Sequence, residues 1–467
     1  MEGTVVAMNE NTLQKGLKTR HMSMIAIGGV IGAGLFVGSG AVIHSTGPGA
    51  ILSYILAGAM VVVVMRMLGE MAAAHPASGS FAEYAREAIG PWAGFTIGWL
   101  YWFFWVVVVA IEATAGAGII QYWLPDVPLW FTCLVLTVLL TLTNVYSVKS
   151  FGEFEYWFSM IKVVSIIVFL LMGAAVIFGL IPGHGAGFSN LTAHGGFMPK
   201  GPGSILLGVV VVIFSFMGTE IVTIAAAESA QPQKAISQAT NSVIWRILIF
   251  YVGSIAVVVT LLPWDSASIL KSPYVAVLEK IGVPAAAQIM NFIVLTAVLS
   301  CLNSGLYTCS RMLYALAQKG DAPKSFLTLN RKGVPVRTIL ASTFFGYIAV
   351  VMNYVSPDKV FLFLVNSSGA VALLVYLVIC FSQLRMRYRL EKENPEQIKI
   401  KMWLFPYLTY VTIAVILVIL GSMAFIESMR SQLYLTLLIA VIVIGIYFLF
   451  NPKKANVGQK QHQQTKA

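Results

Sequence analysis

Two glycine-bearing breaks in apolar runs hold the groups best suited to binding a small polar solute. The first reads Ile27-Gly28-Gly29-Val30-Ile31-Gly32-Ala33-Gly34-Leu35-Phe36-Val37-Gly38, and six glycines fall between positions 28 and 40. The second reads Ile213-Phe214-Ser215-Phe216-Met217-Gly218-Thr219-Glu220-Ile221, inside the apolar run 203–228. A helix in lipid has no water to satisfy freed backbone groups, so such a break persists only where it lines a cavity. Paired breaks at matching places in two halves of a chain point to the binding site of a secondary transporter.

The chemistry of the two breaks is complementary. Gly28/Gly32 and Gly34/Gly38 are GxxxG pairs that would serve helix packing, yet glycine occurs on every face and Gly32-Ala33-Gly34 invites unwinding. An unwound turn there leaves N–H groups at the positive end of the following half-helix, which suits a carboxylate. In the second break, the freed carbonyls around Phe214, Ser215 and Phe216 suit an ammonium, and Gly218-Thr219-Glu220 follows at once. A carboxylate at mid-bilayer costs about 2.5–3.5 kcal/mol on insertion scales, so Glu220 is a functional candidate. Its alternative is to cap the turn without touching substrate. N–H groups on one side and carbonyls on the other make a cage for an amino acid zwitterion.

Other ionisable groups lie in apolar runs. Lys162 either snorkels to the cytoplasmic interface or is a buried amine that takes and loses a proton during the cycle. Glu112, beside Thr114 and Gly116, is either a polar tie between helices or a substrate contact. Glu153 and Glu155 sit where a solvated cytoplasmic rim is expected. Ser300, Asn303, Ser304, Tyr307 and Ser310 form a polar stripe at helical spacing that faces a neighbour or the pathway. Gly90, Gly94 and Gly98 recur every fourth residue along one helix face, which is expected for packing.

The elements that must position these groups are membrane helices. Of 467 residues, 58% are hydrophobic and only 10% charged, against about 25% charge in a soluble domain. The mean hydropathy of +0.83 and repeated long apolar runs place the chain in a lipid bilayer. Ten long runs (47–69, 92–123, 127–147, 157–182, 203–228, 242–263, 284–305, 337–355, 358–384 and 402–426), the broken run 22–41 and a last one at 431–450 predict twelve spans. Met1 to Leu17 is polar, so no cleavable signal is expected. With both termini cytoplasmic, 23 of the 30 Lys and Arg, Arg246 among them, fall on the inner side and five outside, with Lys162 and Arg311 inside spans. The net charge of +11 is then a topology signal, and no basic soluble face suggests nucleic acid. The tail after Asn451 is expected to be a short polar extension.

Catalytic signatures are lacking: no GxGxxG, Walker A, HExxH or GxSxG motif occurs. An enzyme, a bound cofactor and ATP drive are therefore not expected. The six histidines are dispersed away from span centres, which argues against an intramembrane metal. Cys133, Cys301, Cys309 and Cys380 read as small buried hydrophobes. A channel would need a filter loop or charge ring, and a sensor a signalling domain; neither is visible.

Six stretches resemble one family: Ser45 to Ala50, Met65 to Met71, Gly152 to Phe158, Phe214 to Glu220, Ser300 to Gly305 and Ser310 to Tyr314. They are similar to signatures of the amino acid transporter family in the amino acid–polyamine–organocation (APC) superfamily, and the likeness runs from about residue 15 to 450. Gly90 to Ala113 and Ile281 to Thr308 are similar to its γ-aminobutyrate permeases. The resemblance implies an all-α polytopic membrane protein with the leucine-transporter (APC) fold, a 5+5 inverted repeat plus two helices. It then divides as cytoplasmic 1–21, first repeat 22–182, external loop 183–202, second repeat 203–384, loop and last two helices 385–450, and cytoplasmic tail 451–467. The implied activity is proton-coupled import of γ-aminobutyrate or a similar small zwitterion across the bacterial cytoplasmic membrane. The same fold with proline, an aromatic or a D-amino acid, or an exchanger, is the alternative. By motif match, Ile31, Gly32, Ala33 and Gly34 would bind the carboxylate. Phe214, Ser215 and Phe216, with Gly218, Thr219 and Glu220 beside them, would receive the amine. Glu112 and Asn303 complete the expected substrate set, and Lys162 with Glu153 the proton-coupling set. Ala227 stands where the family commonly has glycine.

Overall fold

A computed structural model of the chain describes residues 20–21, 24, 31–36, 38–77, 79–181, 187–225, 232–355 and 370–450. Gly28, Gly29 and Ala227 lie outside the described residues. Among those described, all regular structure is helical and no strand occurs. The helices are α1 (Ala33–Phe36), α2 (Gly38–Thr46), α3 (Ala50–Ala74), α4 (Phe81–Ala88), α5 (Pro91–Ile120), α6 (Leu129–Tyr146), α7 (Val148–Ile177), α8 (Gly203–Phe216) and α9 (Ile221–Ala225). They continue as α10 (Pro232–Arg246), a π-helical segment Ile247–Gly253, α11 (Ser254–Leu261), α12 (Ala267–Lys271), α13 (Pro273–Lys280), α14 (Ala286–Gln318), α15 (Val336–Val355), α16 (Val371–Glu393), α17 (Tyr407–Phe425) and α18 (Glu427–Phe450).

Nine helices among the described residues are long and apolar enough to cross a membrane, and shorter apolar ones cover Gly203–Ile213 and Val336–Met352. The first of the nine, Gly34–Ala74, takes in two expected spans. They are hinged at the 3-10 turn Gly47–Gly49, where Gly47 adopts φ 68°, a backbone that glycine enters without steric penalty. Element ends depart from the apolar runs. α7 starts at Val148 rather than 157, with Ser147 Oγ capping the Ser150 N–H at 3.0 Å. α14 runs on to Gln318, beyond the end of the apolar run at 305. Hydropathy measures the length in lipid, whereas a helix continues wherever capping and packing allow.

The core is organised around α5 and α14. A Cβ on Gly98 would lie 2.7 Å from Leu316, and one on Gly305 2.9 Å from Val109 and 3.1 Å from Trp105. A Cβ on Gly94 would meet the Ala82 carbonyl of α4 at 2.7 Å. Packing thus explains Gly94 and Gly98 but not Gly90. Gly90 instead takes φ 145° in the turn before Pro91, which opens α5 in the first-turn position proline favours.

Candidate substrate cavity between the two helix breaks

Ile31 and Gly32 are non-helical, and α1 begins at Ala33. The second break is the turn 217–220 between α8 and α9. Its backbone is specified locally. The Gly218 N–H, which in an unbroken helix would donate to the Phe214 carbonyl, donates instead to Glu220 Oε1 and Oε2 at 3.0 and 3.2 Å. Gly218 takes φ 99°, and the Thr219 hydroxyl donates to the Phe216 carbonyl at 2.6 Å. A Cβ on Gly218 would also lie 3.1 Å from Trp105. We expect Gly218→Ala to destabilise the protein by about 1–2 kcal/mol, the cost of left-handed backbone in a non-glycine residue. A lowered unfolding temperature of the purified variant in detergent checks this.

Between the breaks lies a small cavity. Gly32 and Gly34 line it from the first break, and Ser215 and Met217 from the second. Phe104, Trp105, Val108 and Glu112 of α5 and Cys301 of α14 complete the wall. Both glycines are needed for close approach. A Cβ at Gly32 would sit 2.8 Å from Glu112 Oε1, and one at Gly34 2.8 Å from Ser215 Oγ and 3.0 Å from Ser215 Cα. The cavity therefore combines a helix N-terminus with a buried carboxylate, Glu112, only 2% exposed.

The expected site residues divide into groups. Gly32, Gly34, Glu112 and Ser215 come together on the cavity. Ala33 is the first residue of α1, and its side chain, like that of Phe214, lies outside the described residues. Ile31 is buried, and its carbonyl accepts from Lys162 Nζ at 3.0 Å. Phe216 is buried with its ring 4.6 Å from that of Tyr251, and the Ser215 carbonyl accepts from Tyr251 OH at 3.1 Å. Thr219 and Glu220 belong to the turn rather than the cavity lining. Glu220, with no exposed surface, accepts from Tyr101 OH at 2.8 Å as well as from the Gly218 N–H. Arg246 donates to Thr219 Oγ1 at 2.8 Å.

Asn303 does not reach the cavity. Its Oδ1 accepts from Asn144 Nδ2 of α6 at 2.8 Å, and Tyr307 stacks on Phe151 of α7 at 4.1 Å, so the polar stripe of α14 faces α6 and α7. Glu153 lies on a partly open rim, paired with Arg20 and with His21 Nε2 at 3.2 Å. Lys162 does not snorkel. It is fully buried and donates to Ser300 Oγ at 2.8 Å as well as to Ile31. Two rim expectations are corrected: Glu155 has no exposed surface, and Arg246, expected among the cytoplasmic charges, is 2% exposed at the end of α10. A helix that starts earlier than its apolar run carries charged residues inward with it.

Sequence reading missed Phe104, Trp105, Val108, Met217 and Cys301 as cavity wall. Trp105, Val108 and Glu112 are spaced by three and four, so the helical face through Glu112 carried that signal. All four cysteines are buried and free, but Cys301 faces the cavity rather than core alone. Among the described residues no group of three or more His, Cys, Asp or Glu could hold a metal.

An all-helical membrane protein with a small cavity between interrupted helices, a buried carboxylate in its wall, is built as a secondary transporter. The family model "Amino acid permease" matches residues 21–458, and the chain belongs to that family. It is 70% identical over 449 residues, 96% of each chain, to the gamma-aminobutyric acid permease of Bacillus subtilis (strain 168). It is 51% identical over 448 residues to the gamma-aminobutyric acid permease of Escherichia coli (strain K12), covering 95% of this chain and 96% of that one. The aromatic amino acid transport protein AroP of Corynebacterium glutamicum is 42% identical over 92% of this chain and 93% of its own.

Proposed function

We propose that the chain imports γ-aminobutyrate, or a similarly small zwitterion, across the bacterial cytoplasmic membrane together with a proton. Family membership makes it a transporter rather than an enzyme. The observation that carries the substrate is the 70% identity, over nearly the whole of both chains, to a permease named for γ-aminobutyrate; the AroP relative stands at 42%. The cavity supports a zwitterion. The N–H groups that open α1 suit its carboxylate, and Glu112 brings negative charge to the opposite need, an ammonium. Twelve spans in a 5+5 inverted repeat, with both termini cytoplasmic, complete the reading.

Lys162 supports the proton. Its ammonium ties the first break, through the Ile31 carbonyl, to α7 and α14, so loss of its charge weakens the hold on the carboxylate-binding segment. The substrate is tested by uptake of labelled γ-aminobutyrate, proline, phenylalanine, lysine and D-alanine into proteoliposomes, with and without an imposed pH gradient. Saturable γ-aminobutyrate uptake that exceeds the others and rises with the gradient is expected. Preference for an α-amino acid would overturn the assignment.

A further inference from the structure

We infer that Glu155 carries the proton between Lys162 and the cytoplasmic side, with the Ser300 hydroxyl as the bridge. Lys162 Nζ donates to Ser300 Oγ at 2.8 Å, and Ser300 Oγ donates to Glu155 Oε1 at 2.5 Å. Ser159 Oγ holds the same carboxylate oxygen at 3.0 Å, one turn along α7. A continuous line of hydrogen bonds therefore joins the Ile31 carbonyl at the first break to a carboxylate seven residues nearer the start of α7. Nothing in substrate binding uses Glu155, and it does not line the cavity.

The second carboxylate oxygen is the outlet. Glu155 Oε2 is buried and has no hydrogen-bond partner among the described residues. Asn303 Nδ2 and Ser304 Oγ, likewise buried and without partners there, lie on α14 three and four residues after Ser300. They share its helix face, one turn nearer the cytoplasmic end in the proposed topology. Buried polar atoms are almost always paired with protein or with ordered water. This strip thus suits transient water between Glu155 and the rim where Glu153 meets Arg20 and His21.

The transfer balances. The Lys162 ammonium gives a proton to Ser300 Oγ as Ser300's own hydroxyl proton passes to Glu155 Oε1. A neutral amine, an intact hydroxyl and a carboxylic acid remain. Two buried charges are removed in one step, which offsets their desolvation. Besides Glu155, the titratable groups acting on Lys162 are Cys301 of α14, Glu112 of α5 and Arg246 of α10.

The inference rests on the proton-coupled reading above, and the test separates the two. Full-length wild type, Glu155→Gln and Ser300→Ala are reconstituted with a pH dye in the lumen. Counterflow of labelled against unlabelled γ-aminobutyrate is measured beside gradient-driven accumulation. Glu155→Gln is expected to keep wild-type counterflow while accumulation at 100 mV falls from about fiftyfold to unity, and Ser300→Ala to slow lumen acidification by a larger factor than it slows counterflow. Glu155→Asp should recover part of the accumulation. Wild-type accumulation and acidification in Glu155→Gln would overturn the inference. So would loss of counterflow together with accumulation, which would make Glu155 a support of the site. Accumulation by wild type without acidification would instead sink the proton-coupled reading itself.

Discussion

Gly34→Val is expected to weaken γ-aminobutyrate binding about ten- to hundredfold, equivalent to about 1–3 kcal/mol of overpacking. The first methyl already meets Ser215 Oγ at 2.8 Å and Ser215 Cα at 3.0 Å. The hydroxyl can rotate away, but the Cα belongs to α8, whose carbonyl at Ser215 is held by Tyr251. Either α1 and α8 move apart or the valine methyls enter the cavity. Both outcomes spoil the N–H end proposed to hold the substrate carboxylate. Equilibrium binding of labelled γ-aminobutyrate to the purified variant measures this directly. Gly421→Val is the control, because a Cβ there meets nothing within 4 Å. It should bind as wild type does, while unchanged affinity in Gly34→Val would remove the first break from the site.

Lys162→Ala is expected to abolish gradient-driven accumulation while substrate exchange persists in part. One proton moving inward yields about 2.3 kcal/mol per 100 mV, enough for roughly fiftyfold accumulation. Without the ammonium, the link from the Ile31 carbonyl to Ser300 is gone, and with it the protonation event proposed to bias the first break. Steady-state uptake should then level at equal concentrations inside and out, and a protonophore should change nothing. Normal accumulation that collapses on adding a protonophore would dismiss Lys162 from coupling.

The breaks were legible in the sequence because glycine and ionisable residues stand out in apolar runs. Gly32, Gly34 and Glu112 stand out by that contrast, with a tie between helices as the alternative for Glu112, and family resemblance adds Ser215. Their partners could not. Tyr101 reaches Glu220 from α5, Arg246 reaches Thr219 from the end of α10, and Ser300 joins Lys162 to Glu155 from α14. Each of these contacts joins segments far apart in the sequence, where periodicity fixes the face but not the neighbour. In sequence Glu155 reads as part of a solvated rim because its apolar run begins only at 157, whereas the helix begins at Val148. Asn303 belongs to a stripe whose sequence allows either a neighbouring helix or the pathway, and in the structure it ties α14 to α6.

The most direct measurement of the proposed proton-driven γ-aminobutyrate uptake is its steady-state gradient in proteoliposomes as the imposed proton-motive force is varied. One-to-one coupling predicts a tenfold rise in the internal-to-external ratio for about every 59 mV. A ratio that stays at unity across the whole range would contradict it.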